Sequence, residues 1–169
     1  SAGTDAEQTA VSIGAAALPA PAAQSLPYTA DFTGGGADWL ATGGWQWTED
    51  AWAYAGTSAG DLTSPPISLP TAPASALRFR FYADTEDDAA FWDQMRVQVA
   101  PQGENFSDLW QITGQVQAAW LESPALDLAA FAGQTVRIRF HFDALDANFN
   151  NALPWRVDDV RVQAAGAPL

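Results

Sequence analysis

"QTVRIRFHFDA", Gln134 to Ala144, sets Val136, Ile138, Phe140 and Phe142 at alternate positions, with Arg137, Arg139 and His141 between them. A period of two means a β-strand with one buried face and one wet face. The same pattern recurs upstream. "ALRFRFYA" turns Phe79 and Phe81 inward against Arg78 and Arg80, and "DQMRVQVAP" turns Met95, Val97 and Val99 inward against Gln94, Arg96 and Gln98. "GWQWTEDAWAYAG" puts Trp45 and Trp47 on one face, then Trp52 and Tyr54 beyond an acidic turn. No window has a convincing helical period, and the short "SPALDLAAFAGQ" predicts one helical turn closed by Gly133. Strands divided by Gly, Pro and Asp turns, without helical crossovers, predict an all-β fold: an antiparallel two-sheet sandwich.

The chain has 169 residues, enough for one domain with a substantial core, and its 8 Trp and 9 Phe supply an aromatic interior. Formal net charge is -13, and every basic side chain is an arginine. Such an acidic surface repels phosphate backbones and anionic lipid, so nucleic acid and membrane surfaces are poor partners. No run is long and apolar enough to span a bilayer. With no cysteine, disulfides, thiolate metal sites and cysteine nucleophiles are excluded. Starting at Ser1, the chain reads as a processed product or a piece of a larger protein. Residues 1–26 are rich in Ala and Pro and carry no aromatic, which is linker composition; "TAVSIGAAAL" within them also suits an extended strand on this domain's edge or a neighbour's. The sandwich domain is expected over residues 27–165.

Near the end, "PWRVDDVRV" (Pro154 to Val162) sets Asp158 and Asp159 side by side among strand-formers, where aspartate is disfavoured. Val157 and Val160 both call for burial, so the alternation slips between them, most simply through a β-bulge. One aspartate is then expected to point into the sandwich and the other to stay near a loop. A buried ionised carboxylate needs a cation or several backbone N–H donors.

Enzyme constellations are lacking in the sequence. The one histidine, His141, lies on the polar face of a strand, and no serine sits in a nucleophile-elbow context. No H-E-x-x-H, P-loop or dinucleotide fingerprint is present, and "FTGGGADW" reads as a turn. Among so many acids, a carboxylate pair is no argument for glycoside hydrolysis. The run "DTEDDAAFWD" lacks the register of an EF-hand loop and reads as a solvated acidic loop. Trp92, Trp52 and Asp93 are candidate ligand contacts, the rings for stacking on a sugar and the carboxylate for accepting its hydroxyls.

In order, "DLTSPPISL", "LRFRFYA", "FWDQMRVQVAP", Trp110, Gly114, Trp120, "LDLAAFAGQTVRIRFHFDA" and "PWRVDDVRV" resemble the MAM-like jelly-roll domains of bacterial secreted and surface proteins. These include accessory domains of immune-inhibitor-A-type peptidases; the likeness spans about Phe32 to Val162. The final motif is also similar to that of several jelly-roll carbohydrate-binding modules. Departures are Pro154 where those domains have glycine, Arg156 where they have an aromatic, and Thr33 where an acid is usual. The resemblance implies a jelly-roll β-sandwich whose first and last strands are neighbours. It also implies a structural calcium at that junction, with Asp31 and Asp158 or Asp159 as ligands and Asp61 as a further candidate. The function it implies is a non-catalytic adhesion or accessory module, extracellular or at the cell surface, whose partners are other extracellular domains or glycans. One alternative is a glycan-binding module with several of Trp39, Trp45, Trp52, Trp92, Trp110 and Trp120 exposed together. The other is a surface-layer or filament subunit whose N-terminal segment self-assembles by strand addition.

Overall fold

The computed structural model describes residues 21–36, 38–56, 58–84, 93–112, 119–145 and 155–167. In chain order the strands are β1 (Tyr28–Ala30), β2 (Leu40–Ala41), β3 (Trp45–Thr48), β4 (Ala51–Tyr54), β5 (Gly60–Thr63), β6 (Ile67–Ser68), β7 (Ser75–Ala83), β8 (Asp93–Pro101), β9 (Ser107–Gln111), β10 (Trp120–Glu122), β11 (Leu126–Asp127), β12 (Thr135–Ala144) and β13 (Trp155–Ala164). A 3₁₀ turn, Ala129–Phe131, precedes Gly133 at φ 75°, which is the short helical turn expected there. One sheet has the order β10-β7-β13-β4-β3, with β1 also on β13 and β11 also on β7; the other has β2-β5-β12-β8-β9, with β6 on β12. Every pairing between these strands is antiparallel. The fold is therefore the all-β two-sheet sandwich that the alternation predicts.

Hydrophobic burial drives the two sheets together, since each long strand presents one apolar face. Val136, Ile138, Phe140 and Phe142 of β12 meet Leu77, Phe79 and Phe81 of β7 and Trp155, Val157, Val160 and Val162 of β13 in one core. Its centre is aromatic: Trp155 lies 5.2 Å from Trp45 and 5.7 Å from Phe140, and Phe142 stacks on Tyr54 at 4.2 Å. β1 pairs with β13 through Tyr28↔Val162 and Ala30↔Val160, so the first and last strands are neighbours. Just before it, Gln24 makes a parallel bridge to Ile67, accepting from Ser68 N at 2.8 Å and donating its own N–H to Pro66 O at 2.7 Å. "TAVSIGAAAL" lies outside the described residues.

The bulge lies where Val157 and Val160 require it. Asp158 pairs with Arg80 and Arg161 with Arg78, so Asp159 and Val160 together oppose Phe79 alone. Asp159 takes φ 49°, a left-handed backbone that aspartate adopts more readily than most residues. That twist keeps both valines wholly buried. The expectation that one acid enters the sandwich is corrected: both aspartates are partly exposed. The extra residue absorbs the slip, so neither carboxylate has to take a core position.

Candidate functional site

β13 is the central strand of its sheet, and its solvent face is continuous with those of β7 and β10. Across that face the register aligns Trp120, Tyr82, Arg156 and Ala53 in one row, and Glu122, Arg80 and Asp158 in the next. The period of two therefore assembles a patch that no short motif contains. Trp120 and Tyr82 have ring centroids 6.1 Å apart. The Arg80 guanidinium lies 5.2 Å from the Trp120 ring centre and that of Arg156 lies 4.9 Å from the Tyr82 ring centre, both within cation–π range. At the far side, the β3–β4 hairpin turns through Glu49 and Asp50, with Glu49 at φ 54°. Thr48, Glu49, Asp50, Ala51, Arg80, Trp120, Arg156 and Asp158 line an open hollow of about 510 Å³.

Two side chains of this lining each hold an inaccessible polar atom without a hydrogen-bond partner: Arg156 Nε, which can only donate, and Asp158 Oδ1, which accepts when ionised. Burial holds the Asp158 carboxyl above the usual aspartate range. The negative charges of Asp159 and Asp31 push the same way, while the Asp159 backbone N–H and Arg80 oppose them. A carboxyl whose folded pKa is raised contributes stability below its unfolded value, and that contribution is lost as pH rises through the folded value. Asp158→Asn is therefore expected to raise the melting temperature at pH 7 by about 1–3 °C, a gain kept small by solvent screening. The gain should shrink as pH falls towards 4. Melting curves of both proteins across that range check the sign.

The four metal candidates do not form one cluster. Asp31 follows the Ala30↔Val160 pair, so it borders the bulge; its Oδ1 accepts from Thr33 N at 3.1 Å. Asp159 is already flanked by guanidiniums, Oδ2 to Arg80 Nη1 and Oδ1 to Arg161 Nη2, each 3.5 Å. Asp61 lies in the other sheet, opposite His141, where Oδ2 meets Arg139 Nη1 at 3.3 Å. Its Oδ1 is 2.6 Å from His141 Nδ1, which carries the proton and donates, because an ionised carboxylate only accepts. Calcium takes six to eight oxygen ligands. Among the described residues no three acidic or histidine side chains are gathered to hold a metal ion.

Of the candidate ligand contacts, Trp52 is 9 % exposed and part of the core, and Asp93 is 3 % exposed at the start of β8. Neither offers a surface, because each lies at an inward position of its strand. Trp92 lies outside the described residues. Trp39 and Trp45 are core residues, and Trp110 packs edge-on against Phe79 and Phe81. Among the described residues the exposed indoles are Trp120 at 37 % and Trp47 at 41 %. Period two marks Trp47 as inward, but it sits on the edge strand and donates Nε1–H to Phe32 O at 3.2 Å.

No family model matches the chain. It is 25 % identical over 154 residues to bacillopeptidase F of Bacillus subtilis strain 168, spanning 79 % of this chain and only 10 % of that protein. The K1 cleaved adhesin domain of Lys-gingipain from Porphyromonas gingivalis W83 is similar in structure, with TM-score 0.56, 18 % identity, and coverage of 82 % of this chain and 98 % of that domain. The K3 cleaved adhesin domain of the same protein gives TM-score 0.56 and 20 % identity, covering 80 % and 97 %. The C-terminal family 22 carbohydrate-binding module of a Clostridium thermocellum protein gives TM-score 0.52 and 12 % identity, covering 88 % and 100 %. At these identities the structural likeness is one of fold. The chain has the jelly-roll β-sandwich found in both gingipain adhesin domains and carbohydrate-binding modules, and is a distant relative of a segment of bacillopeptidase F.

Proposed function

We propose that this chain is a non-catalytic binding module of a larger secreted or cell-surface bacterial protein, and that it engages an extracellular partner through the hollow beside the β13 bulge. One observation carries the reading: the exposed Trp120 and the guanidiniums of Arg80 and Arg156 line one recess of the sheet face together with the carboxyl of Asp158. The likeness to adhesin domains and carbohydrate-binding modules supports the binding role. Coverage of a tenth of the peptidase relative supports the accessory role.

The test is binding of the purified module to a glycan array and to a panel of immobilised extracellular proteins, with Trp120→Ala alongside. At least one ligand should lose ten-fold or more in affinity while the melting temperature stays within about 3 °C. Equal binding by both proteins to every ligand, or no ligand on either panel, would count against the reading.

In the same reading the junction of β1 and β13 is held by arginine in place of calcium, Arg80 and Arg161 neutralising Asp159. A chelator should then leave the melting temperature unchanged to within about 1 °C, since only a ligand bound to the folded state stabilises it. A drop reversed by added calcium would assign a metal to the junction instead.

A further inference from the structure

We propose that Arg78 and Arg161 form a carboxylate-binding site, across the bulge from the hollow, that docks an acidic side chain of a protein partner. The two arginines are directly opposed on β7 and β13, and Thr29 of β1 continues their row on the solvent face. Directly opposed like charges destabilise a sheet. With 20 acids against 7 arginines the chain could neutralise such a pair, and it does not. Among the described residues Arg78 has no ion pair, hydrogen bond or aromatic contact. Arg161 shares Asp159 with Arg80, each nitrogen 3.5 Å from its oxygen, longer than a hydrogen bond. Within ion-pair range, Arg78, Arg80 and Arg161 thus have one carboxylate between them. The donors can be reached: the Arg161 side chain is 31 % exposed, and no nitrogen of Arg78 or Arg161 is buried without a partner.

The surroundings select the ligand. A carboxylate has two acceptor oxygens and takes donors from both planar forks at once. A neutral group leaves the opposed charges as they are, and a cation adds to them. A polyanion neutralises them but meets acids on either side: Glu122 and Asp158 in the row of Arg80, and Asp127 in the row of Ala76 and Gln163. The net charge of -13 repels it at longer range. A small free carboxylate fits the charge but gains little, because exposed ion pairs are weak. The group therefore has to arrive on a larger body that covers the sheet face around it and excludes water from the pairing. A protein segment carrying one isolated acid is such a body.

The test is binding to an immobilised peptide library in which single glutamates, flanked by neutral residues, are matched by glutamine versions. Heparin and polygalacturonate serve as polyanion probes. At least one glutamate peptide should bind ten-fold or more tighter than its glutamine version, and weaken as salt is raised. Arg78→Gln and Arg161→Gln should each lose that preference, while Trp120→Ala keeps it, which separates this site from the hollow. Melting temperatures within about 3 °C of the parent show that the variants are folded. In the parent, guanidinium N–H signals of Arg78 and Arg161 should shift together on titration with the peptide, while those of Arg137 on the other sheet stay put. Equal affinity for glutamate and glutamine peptides, or for the parent and both arginine variants, overturns the site. Loss in Trp120→Ala alone assigns the peptide to the hollow and overturns it too. Polyanions that bind through these arginines in preference to every peptide overturn the protein assignment. No binding by any probe overturns the proposal.

Discussion

Trp155→Ala is expected to cost about 3–5 kcal/mol, a large part of the roughly 5–15 kcal/mol that holds a domain of this size folded. Trp155 is wholly buried and joins the two halves of the aromatic core, touching Trp45 from β3 and both Phe140 and Phe142 from β12. Truncation removes the transfer energy of the indole and leaves a cavity that these rigid rings fill poorly. The melting temperature should fall by about 6–20 °C, read from near-ultraviolet circular dichroism. Trp155→Phe should cost much less than truncation. Trp155 Nε1 is buried without a hydrogen-bond partner, so phenylalanine gives up volume but removes an unpaired donor. Trp47→Ala, at an exposed edge position, should cost about 1 kcal/mol. A Trp155→Ala protein that melts within 3 °C of the parent would mean the two sheets are not held together at this point.

Much of the sandwich is legible along the chain because strand faces depend on local alternation. Phe79 and Phe81, Met95 to Val99, and Val136 to Phe142 are buried where period two puts them. The bulge is legible for the same reason: Val157 and Val160 cannot both be inward without it. The site is another matter. Trp120, Tyr82 and Arg156 meet through two strand registers, and the Asp61–His141 pair joins residues 80 apart in sequence. Nothing local to "HFD" or "GDL" announces that contact. Tryptophan exposure is equally non-local: Trp52 is covered by the loop at Gly36, where an added Cβ would lie 2.1 Å from the indole nitrogen. Close backbone packing is hidden too. A Cβ at Gly44 would lie 2.2 Å from Gly56 N, an approach that only the folded chain specifies. The charge of "DD" is legible in the sequence, but its partners are not. Arg80 and Arg161 reach Asp159 only after the bulge has turned it towards them.

Asp159→Val is the second large effect expected, a loss of about 2–3 kcal/mol. The position has φ 49°, and a left-handed backbone costs an ordinary L-residue roughly 1–2 kcal/mol, more for a β-branched one. The substitution also removes both guanidinium contacts, each worth about 0–1 kcal/mol at a partly exposed site. Two further variants separate these causes. Asp159→Gly keeps the backbone free and loses only the charge contacts, so its cost should stay within about 1 kcal/mol. Deleting Asp159 removes the residue that is extra to the ladder. Val160 would then face Phe79 directly, keeping the pairings of Arg161 with both Arg78 and Thr29. Val157, Val160 and Val162 would all remain inward, because the shortened strand alternates without a slip. The deletion is therefore expected to fold, melting closer to the parent than Asp159→Val does. If instead the deletion unfolds the protein while valine is tolerated, the bulge is a requirement of the sandwich itself. If the deletion folds, the sandwich can close without the bulge. What the extra residue then adds is local: a second carboxylate on the solvent face of β13, next to the hollow, holding Arg80 between Asp159 and the Trp120 ring.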